Sequence, residues 1–270
     1  MNQAKMRSSL FLAIAFATLN AAPGLSVQKP GAAGEQNRPH LMVAAPVWQA
    51  GPYWARFDHR LLVDFADLAH YRAADLKLGS PAPGQNRVVF MGDSITEGWN
   101  LQKYFPGKPY VNRGISGQTS PQMLIRFHQD VIDLKPKVVV ILAGTNDLAR
   151  NTGPMTLAET EANLMSMAQL ASSNGIAVVL CSVLPSVHFW WHPEVKDPAP
   201  QIARLNHWIK AYVAKKGYVY VDYYSVMKDA AGGLPRRLSP DGVHPSPAGY
   251  ALMAPLAHAG IEEAMKEKRR

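Results

Sequence analysis

Two stretches far apart in this 270-residue chain hold side chains that together could attack an acyl carbon. Gly92-Asp93-Ser94 closes an apolar run, and Asp241-Gly242-Val243-His244-Pro245 sets a carboxylate and an imidazole three residues apart near the other end. A serine hydroxyl is a weak nucleophile until a base takes its proton, and histidine is a well-directed base when a third group fixes its tautomer. Ser94, Asp241 and His244 supply nucleophile, orienting acid and base, with the last two close enough for one short loop to hold both. Hydrolysis through an acyl-serine is the chemistry such a set performs.

Competing readings of these and other residues are weaker. Taken singly, Gly92-Asp93-Ser94 is a capped strand-to-helix turn, Asn146-Asp147 a turn, and Asp241-Gly242 a turn dipeptide beside a surface histidine. Asp222 ends an apolar run and mimics a triad acid, but the three-residue spacing of Asp241 and His244 favours Asp241. Asp93, next to the nucleophile, is expected to brace the turn. His188, His192 and Glu194 have ligand-like spacing, yet Pro193 and the neighbouring aromatics mark a loop, and a metal wants preorganised ligands, so neither metal nor organic cofactor is expected. The same loop carries Phe189, Trp190 and Trp191, a candidate wall for a sugar or acyl chain, with plain packing as the alternative.

The elements that must position these groups are written in the apolar pattern. Residues 88–91, 138–143, 176–184 and 218–221, with 110–112 as a shorter fifth, are Val- and Ile-rich runs without in-out alternation. Such runs suit a parallel sheet covered on both faces. Helix ends stand between them: Ser120-Pro121, the capping box Thr156 to Glu159 with Gly175 as its stop, residues 201–216 with Gly217 as theirs, and Ser246-Pro247 opening the last helix. Apolar residues at helical spacing over 58–78 predict one further helix stopped by Gly79. The succession predicts a three-layer α/β/α sandwich with a five-stranded parallel sheet, whose site lies beyond the carboxyl ends of the strands. Ser94, residues 112–117 and residues 144–147 each follow a strand and so fall at that edge, within reach of the Asp241–His244 loop.

Four blocks in this order resemble the SGNH hydrolase superfamily, the GDSL-type esterases and lipases, over about residues 87–265. They are Gly92-Asp93-Ser94 followed by Ile95-Thr96-Glu97-Gly98, Gly114 within Asn112-Arg113-Gly114-Ile115-Ser116-Gly117, Gly144-Thr145-Asn146-Asp147, and Asp241 to His244. Ile95 stands where the family has leucine, a conservative exchange, and no Gly-x-Ser-x-Gly elbow supports the α/β-hydrolase alternative. The resemblance implies the family's flavodoxin-like fold and an oxyanion hole of three donors: the backbone N–H groups of Ser94 and Gly114 and the amide of Asn146. It is closest to the branch holding platelet-activating-factor acetylhydrolase-like and carbohydrate acetylesterase-like enzymes.

Composition bounds the remaining classes. An apolar fraction of 47% is ample for one large core, and the lone Cys181, inside an apolar run, reads as a buried thiol. Lys5 and Arg7 ahead of the apolar residues 10–19, then Ala21 and Ala22, predict a signal peptide over 1–22 and a secreted or periplasmic protein. A retained N-terminal anchor is the alternative. Residues 23–57 are expected to form a tail or wrapped segment and 58–270 the hydrolase domain. The net charge of +8 falls to +6 without Lys5 and Arg7, and part of the rest lies in the terminal run Lys266 to Arg270, so no basic, aromatic-interleaved face for nucleic acid is indicated. The sequence leaves oligomeric state open. The expected activity is hydrolysis of short-chain acyl esters of small molecules or polysaccharides, with a lysophospholipase or short-chain lipid esterase and a non-catalytic carbohydrate-binding protein as alternatives. In many SGNH enzymes a backbone carbonyl shares the aspartate's task, so Asp241→Ala is expected to reduce kcat for p-nitrophenyl acetate less than His244→Ala does; the reverse ranking would contradict that division of roles.

Overall fold

The five apolar runs become the strands of one all-parallel sheet, ordered β2-β1-β3-β4-β5: β1 (Val88–Gly92), β2 (Tyr110–Gly114), β3 (Val138–Leu142), β4 (Ala177–Cys181) and β5 (Val219–Val221). The computed structural model describes residues 52–267. Every residue of β1 and β3 is buried, which explains the missing in-out alternation. Successive side chains still point to opposite faces. Val89, Met91, Val139 and Ile141 join one core cluster, and Val88, Phe90, Val138 and Val140 join the other.

The first cluster is covered by α5 (Ser120–Phe127), α7 (Leu157–Ser173) and α8 (Ala199–Lys216), through residues such as Met123, Leu164 and Ile209. The second is covered chiefly by α10 (Pro247–Glu267), through Met253, Ala257 and Ile261. This is the expected three-layer sandwich. The capping box of Thr156 and Glu159 opens α7, and Gly217, in the left-handed region, closes α8. Four one-turn helices carry loop chemistry: α3 (Ser94–Glu97), α4 (Leu101–Tyr104), α6 (Thr145–Leu148) and α9 (Tyr223–Met227). Strand order reverses at β1, the switch point where a crevice opens in sheets of this winding.

The helix expected over 58–78 is two: α1 (Pro52–Val63) and α2 (Arg72–Leu78). Asp64 breaks the run by accepting the Ala69 N–H at 3.0 Å, and Asp67 takes a left-handed φ of 54° while pairing with Arg60 at 2.8 Å. The spacing misled because Leu62 and Leu76 are solvent-facing, 86% and 80% exposed, so their period does not mark a core stripe. Side-chain amides of Gln118, Gln122 and Gln129 donate to the carbonyls of Ala66, Phe65 and Leu68, and Tyr71 donates to the Gly114 carbonyl. Arg113 of β2 pairs with Asp75 and lies over the Tyr71 ring. The segment thus covers the open edge of β2. The residues read as a signal peptide, and most of the tail after it, lie outside the described residues.

Behind the switch point sits a fully buried guanidinium. Arg126 donates from Nε to Gln118 Oε1 at 2.5 Å, from Nη1 to Asp130 at 2.8 Å, and from Nη2 to the carbonyls of Gly92 at 3.0 Å and Arg113 at 2.9 Å. A π-helical turn, His128–Ile132, continues α5 and carries Asp130. Removing one partner of a buried ion pair strands the other charge. Arg126→Met is therefore expected to lower urea unfolding stability by about 3–5 kcal/mol, and Arg126→Met with Asp130→Leu to regain part of that loss. A single variant as stable as wild type would show that the pair does not hold the strand ends.

Candidate active site

The nucleophile turn is built by a cap. Asp93 is the N-cap of α3 and accepts the Ile95 N–H at 2.9 Å, which turns the chain sharply at the end of β1 and makes Ser94 the first helical residue. The Ser94 N–H, in the first turn, has no intrahelical acceptor to meet. The base arrives from the other end of the chain. Asp241 Oδ1 accepts the N–H groups of Val243 and His244 at 3.0 and 2.8 Å, which folds Asp241–His244 into one tight loop. Tyr250 of α10 donates to the Ile95 carbonyl at 2.8 Å and ties that loop's following helix to the nucleophile turn.

These constraints bring the three predicted side chains together. Ser94 Oγ lies 2.9 Å from His244 Nε2, and His244 Nδ1 lies 2.6 Å from Asp241 Oδ2. The carboxylate's acceptor-only oxygen requires the hydrogen on Nδ1, which leaves the Nε2 lone pair facing the serine hydroxyl. Partial burial raises the Asp241 pKa, but hydrogen bonds from the His244 ring and the two backbone N–H groups outweigh it and hold the acid down at about 2. It stays ionised, as the orienting role requires.

A cavity of about 280 Å³ opens over Ser94 and His244, lined also by Ser116, Gly117, Asn146, Asn151, Trp190 and Trp191. Gly114 does not line it. Its N–H donates to Asn112 Oδ1 at 2.9 Å, and a Cβ there would stand 2.1 Å from the Glu97 nitrogen. A glycine there lets β2 and α3 touch, and its N–H, expected at an oxyanion, meets Asn112. Gly117, three residues on, lines the cavity with a left-handed φ of 81°. Both glycines stand in one sequence block, and only the backbone path separates their tasks.

Asn146 lies buried beside the nucleophile. Its Nδ2 donates to the Gln118 carbonyl at 3.0 Å and, more weakly, to Asp93 Oδ2 at 3.3 Å. Asp147 points away and accepts the Ser120 N–H and hydroxyl, pinning α5 to α6. Asn151, unforeseen from the sequence, bridges three walls: Nδ2 donates to Asn146 Oδ1 and to the Gly117 carbonyl, and Oδ1 accepts the Trp191 indole N–H. Its own N–H closes α6 on the Asn146 carbonyl, which is why a residue five positions on returns to the same place.

Of the three residues of the expected aromatic wall, two reach the cavity. Trp190 is 52% exposed at the cavity and Trp191 forms its floor, whereas Phe189 is buried in the core behind Trp191. Asp222 is the cap of α9, accepting from Ser225, and stands apart from the triad. His192 pairs with Glu194 at 2.7 Å while His188 lies against the Gly242 turn; among the described residues no three His, Cys, Asp or Glu side chains gather to hold a metal ion. Cys181 is buried.

Residues 90–252, more than half of the chain, match the GDSL-like lipase/acylhydrolase family. The chain belongs to that family of ester hydrolases. A solved GDSL-like lipase of Bacteroides thetaiotaomicron is 44% identical, with a TM-score of 0.72, covering 74% of this chain and all (100%) of that one. An acetylxylan esterase of Geobacillus stearothermophilus is 27% identical over 213 residues, 66% of this chain and 93% of the esterase. The uncharacterized lipoprotein YqeF of Bacillus subtilis is 30% identical over 128 residues, 40% of this chain, and the match spans about half, 53%, of that protein's length. No helix among the described residues is long and apolar enough to cross a membrane.

Complete burial raises the Asp93 carboxyl to about 6, with the Ile95 N–H and the His244 charge offsetting only part. From its ordinary 3.8 up to that value, the folded chain keeps a proton that the unfolded chain has released, so this group's contribution to stability declines as pH rises. Asp93→Asn carries an amide that does not titrate in this range. Relative to wild type, its urea unfolding free energy is expected to gain about 2 kcal/mol between pH 4 and pH 7; a pH-independent difference would contradict the burial account of Asp93.

Proposed function

We propose that this chain is an exported serine esterase that removes short acyl groups, acetyl foremost, from carbohydrate esters. The observation that carries the reading is the unbroken line Asp241–His244–Ser94 opening into a small cavity. As Ser94 Oγ forms its bond to the acyl carbon, His244 Nε2 takes the hydroxyl proton, and the carbonyl π electrons move to oxygen. The N–H groups of Ser94 and Gly117 and the Asn146 amide are the donors assigned to that oxyanion, Gly117 replacing Gly114. Collapse expels the alcohol, which leaves with the proton from His244. Water, deprotonated by the same imidazole, then attacks the acyl-serine, releases the acid and restores the hydroxyl.

Three features support a short acyl group on a sugar. The cavity volume, about 280 Å³, lies below the usual range for drug-sized ligands, roughly 300–1,000 Å³. Trp190 and Trp191 offer flat apolar rings beside polar Ser116 and Asn151, a surface suited to the mixed faces of a sugar. A relative named as an acetylxylan esterase acts on such an ester. Export rests on the charged and apolar start of the sequence and on similarity to a lipoprotein.

The test is a p-nitrophenyl ester series run beside acetylated xylan and lysophospholipid, with Ser94→Ala as control. Acetyl is expected to exceed octanoyl by at least about tenfold in kcat/KM, since each misfitting methylene costs about 1–3 kcal/mol, with acetate released from xylan and no turnover by Ser94→Ala. A rise towards long chains would establish the lipid-esterase alternative, and absence of turnover with retained sugar affinity the binding-protein one. Asn146→Ala is expected to lower kcat by about 10²- to 10³-fold, the loss typical of one oxyanion donor; an unchanged kcat would remove Asn146 from the hole.

A further inference from the structure

We infer that Asn151 is a positioning residue that fixes which end of the Asn146 amide faces the reacting oxygen. The inference rests on the esterase reading. A carboxamide is nearly symmetric in shape, so packing alone does not distinguish its oxygen from its nitrogen; its neighbours' hydrogen-bonding polarity does. At Asn151 the two neighbours are unambiguous. The Trp191 indole N–H is donor only and lies 2.8 Å from Oδ1, and the Gly117 carbonyl is acceptor only and lies 2.9 Å from Nδ2.

Asn151 therefore presents N–H and no acceptor to Asn146, 3.0 Å from Asn146 Oδ1. With its oxygen held there, the Asn146 nitrogen must face the other way, towards Gln118 and Asp93 on the nucleophile side. The 3.3 Å contact to Asp93 is long enough for that N–H to be shared with a nearby oxyanion. A fixed polarity runs from the indole, through Asn151, to the oxyanion donor. Preorganised donors act because they are already aimed when charge appears. The same Asn151 nitrogen holds the Gly117 carbonyl and so orients the peptide on the cavity rim.

Substitution by aspartate isolates the polarity from the shape. Asn151→Asp keeps size and an acceptor for Trp191 but puts oxygen against Asn146 Oδ1, so that either orientation of the Asn146 amide now sets two oxygens together, against the new carboxylate or against the Gln118 carbonyl, and its aim is lost. With p-nitrophenyl acetate, Asn151→Asp and Asn151→Ala are each expected to lower kcat by about tenfold or more, with KM within about twofold of wild type, a loss of aim rather than of binding. In Asn146→Ala with Asn151→Asp, the combined loss of kcat is expected to be smaller than the product of the two single losses, because the Asn146 amide is no longer there to be aimed and only the Gly117 contact remains to be lost. Losses that multiply in the double variant, a change confined to KM, or a wild-type kcat in Asn151→Asp would overturn the inference. A Ser94→Ala variant as fast as wild type would instead bring down the esterase reading beneath it, and the inference with it.

Discussion

The site depends on where three parallel strands stop, and a buried cation holds that place. Gly92 pairs in register with Gly114 on one side and Leu142 on the other, so the loops that follow leave the sheet at one level. Strand-end carbonyls facing a buried space need donors. Arg126 supplies them to Gly92 and Arg113 at once, and grips Gln118, whose own carbonyl receives the Asn146 amide. An apolar side chain could fill the volume but could not draw two strand ends and a loop to one point.

From that anchor the site is assembled by hydrogen bonds whose direction admits one reading each. Asp241 spends one oxygen on backbone N–H groups and the other on the imidazole, so the group that shapes the loop also selects the tautomer. The three acids nearest the reaction have different environments and tasks: Asp241 is half-exposed and held ionised, while Asp93 and Asp147 are buried with their pKa values raised by desolvation. The two buried acids build turns, and the third serves the base. Among the described residues, Asp241 is the one whose carboxylate meets His244 Nδ1.

The sheet and the triad were legible in the sequence because both depend on local signals. Short runs rich in Val and Ile without alternation suit strands buried on both faces, their length and β-branching arguing against helix, and the Asp241–His244 spacing needs nothing beyond one turn. The errors lie where the outcome depends on partners distant in sequence. Apolar spacing over 58–78 ignored that Asp64 and Asp67 would stop the helix and that Leu76 would face solvent. Gly114 and Gly117 look alike in the string; Asn112 consumes the N–H of one, which no spacing reveals. Asn151 belongs to no block, and its place follows from a one-turn helix that closes back on Asn146. Of the aromatic run, alternation about the loop decided that Phe189 turns inward while Trp190 turns out.

The account stands on Ser94 being the group that carries the acyl fragment, activated by His244. Incubation with a p-nitrophenyl alkylphosphonate, followed by peptide mass spectrometry, tests this directly. One phosphonyl group per chain on the peptide containing Ser94, absent in Ser94→Ala and formed far more slowly in His244→Ala, is the predicted result. Labelling at another residue, or unchanged labelling without His244, would contradict it.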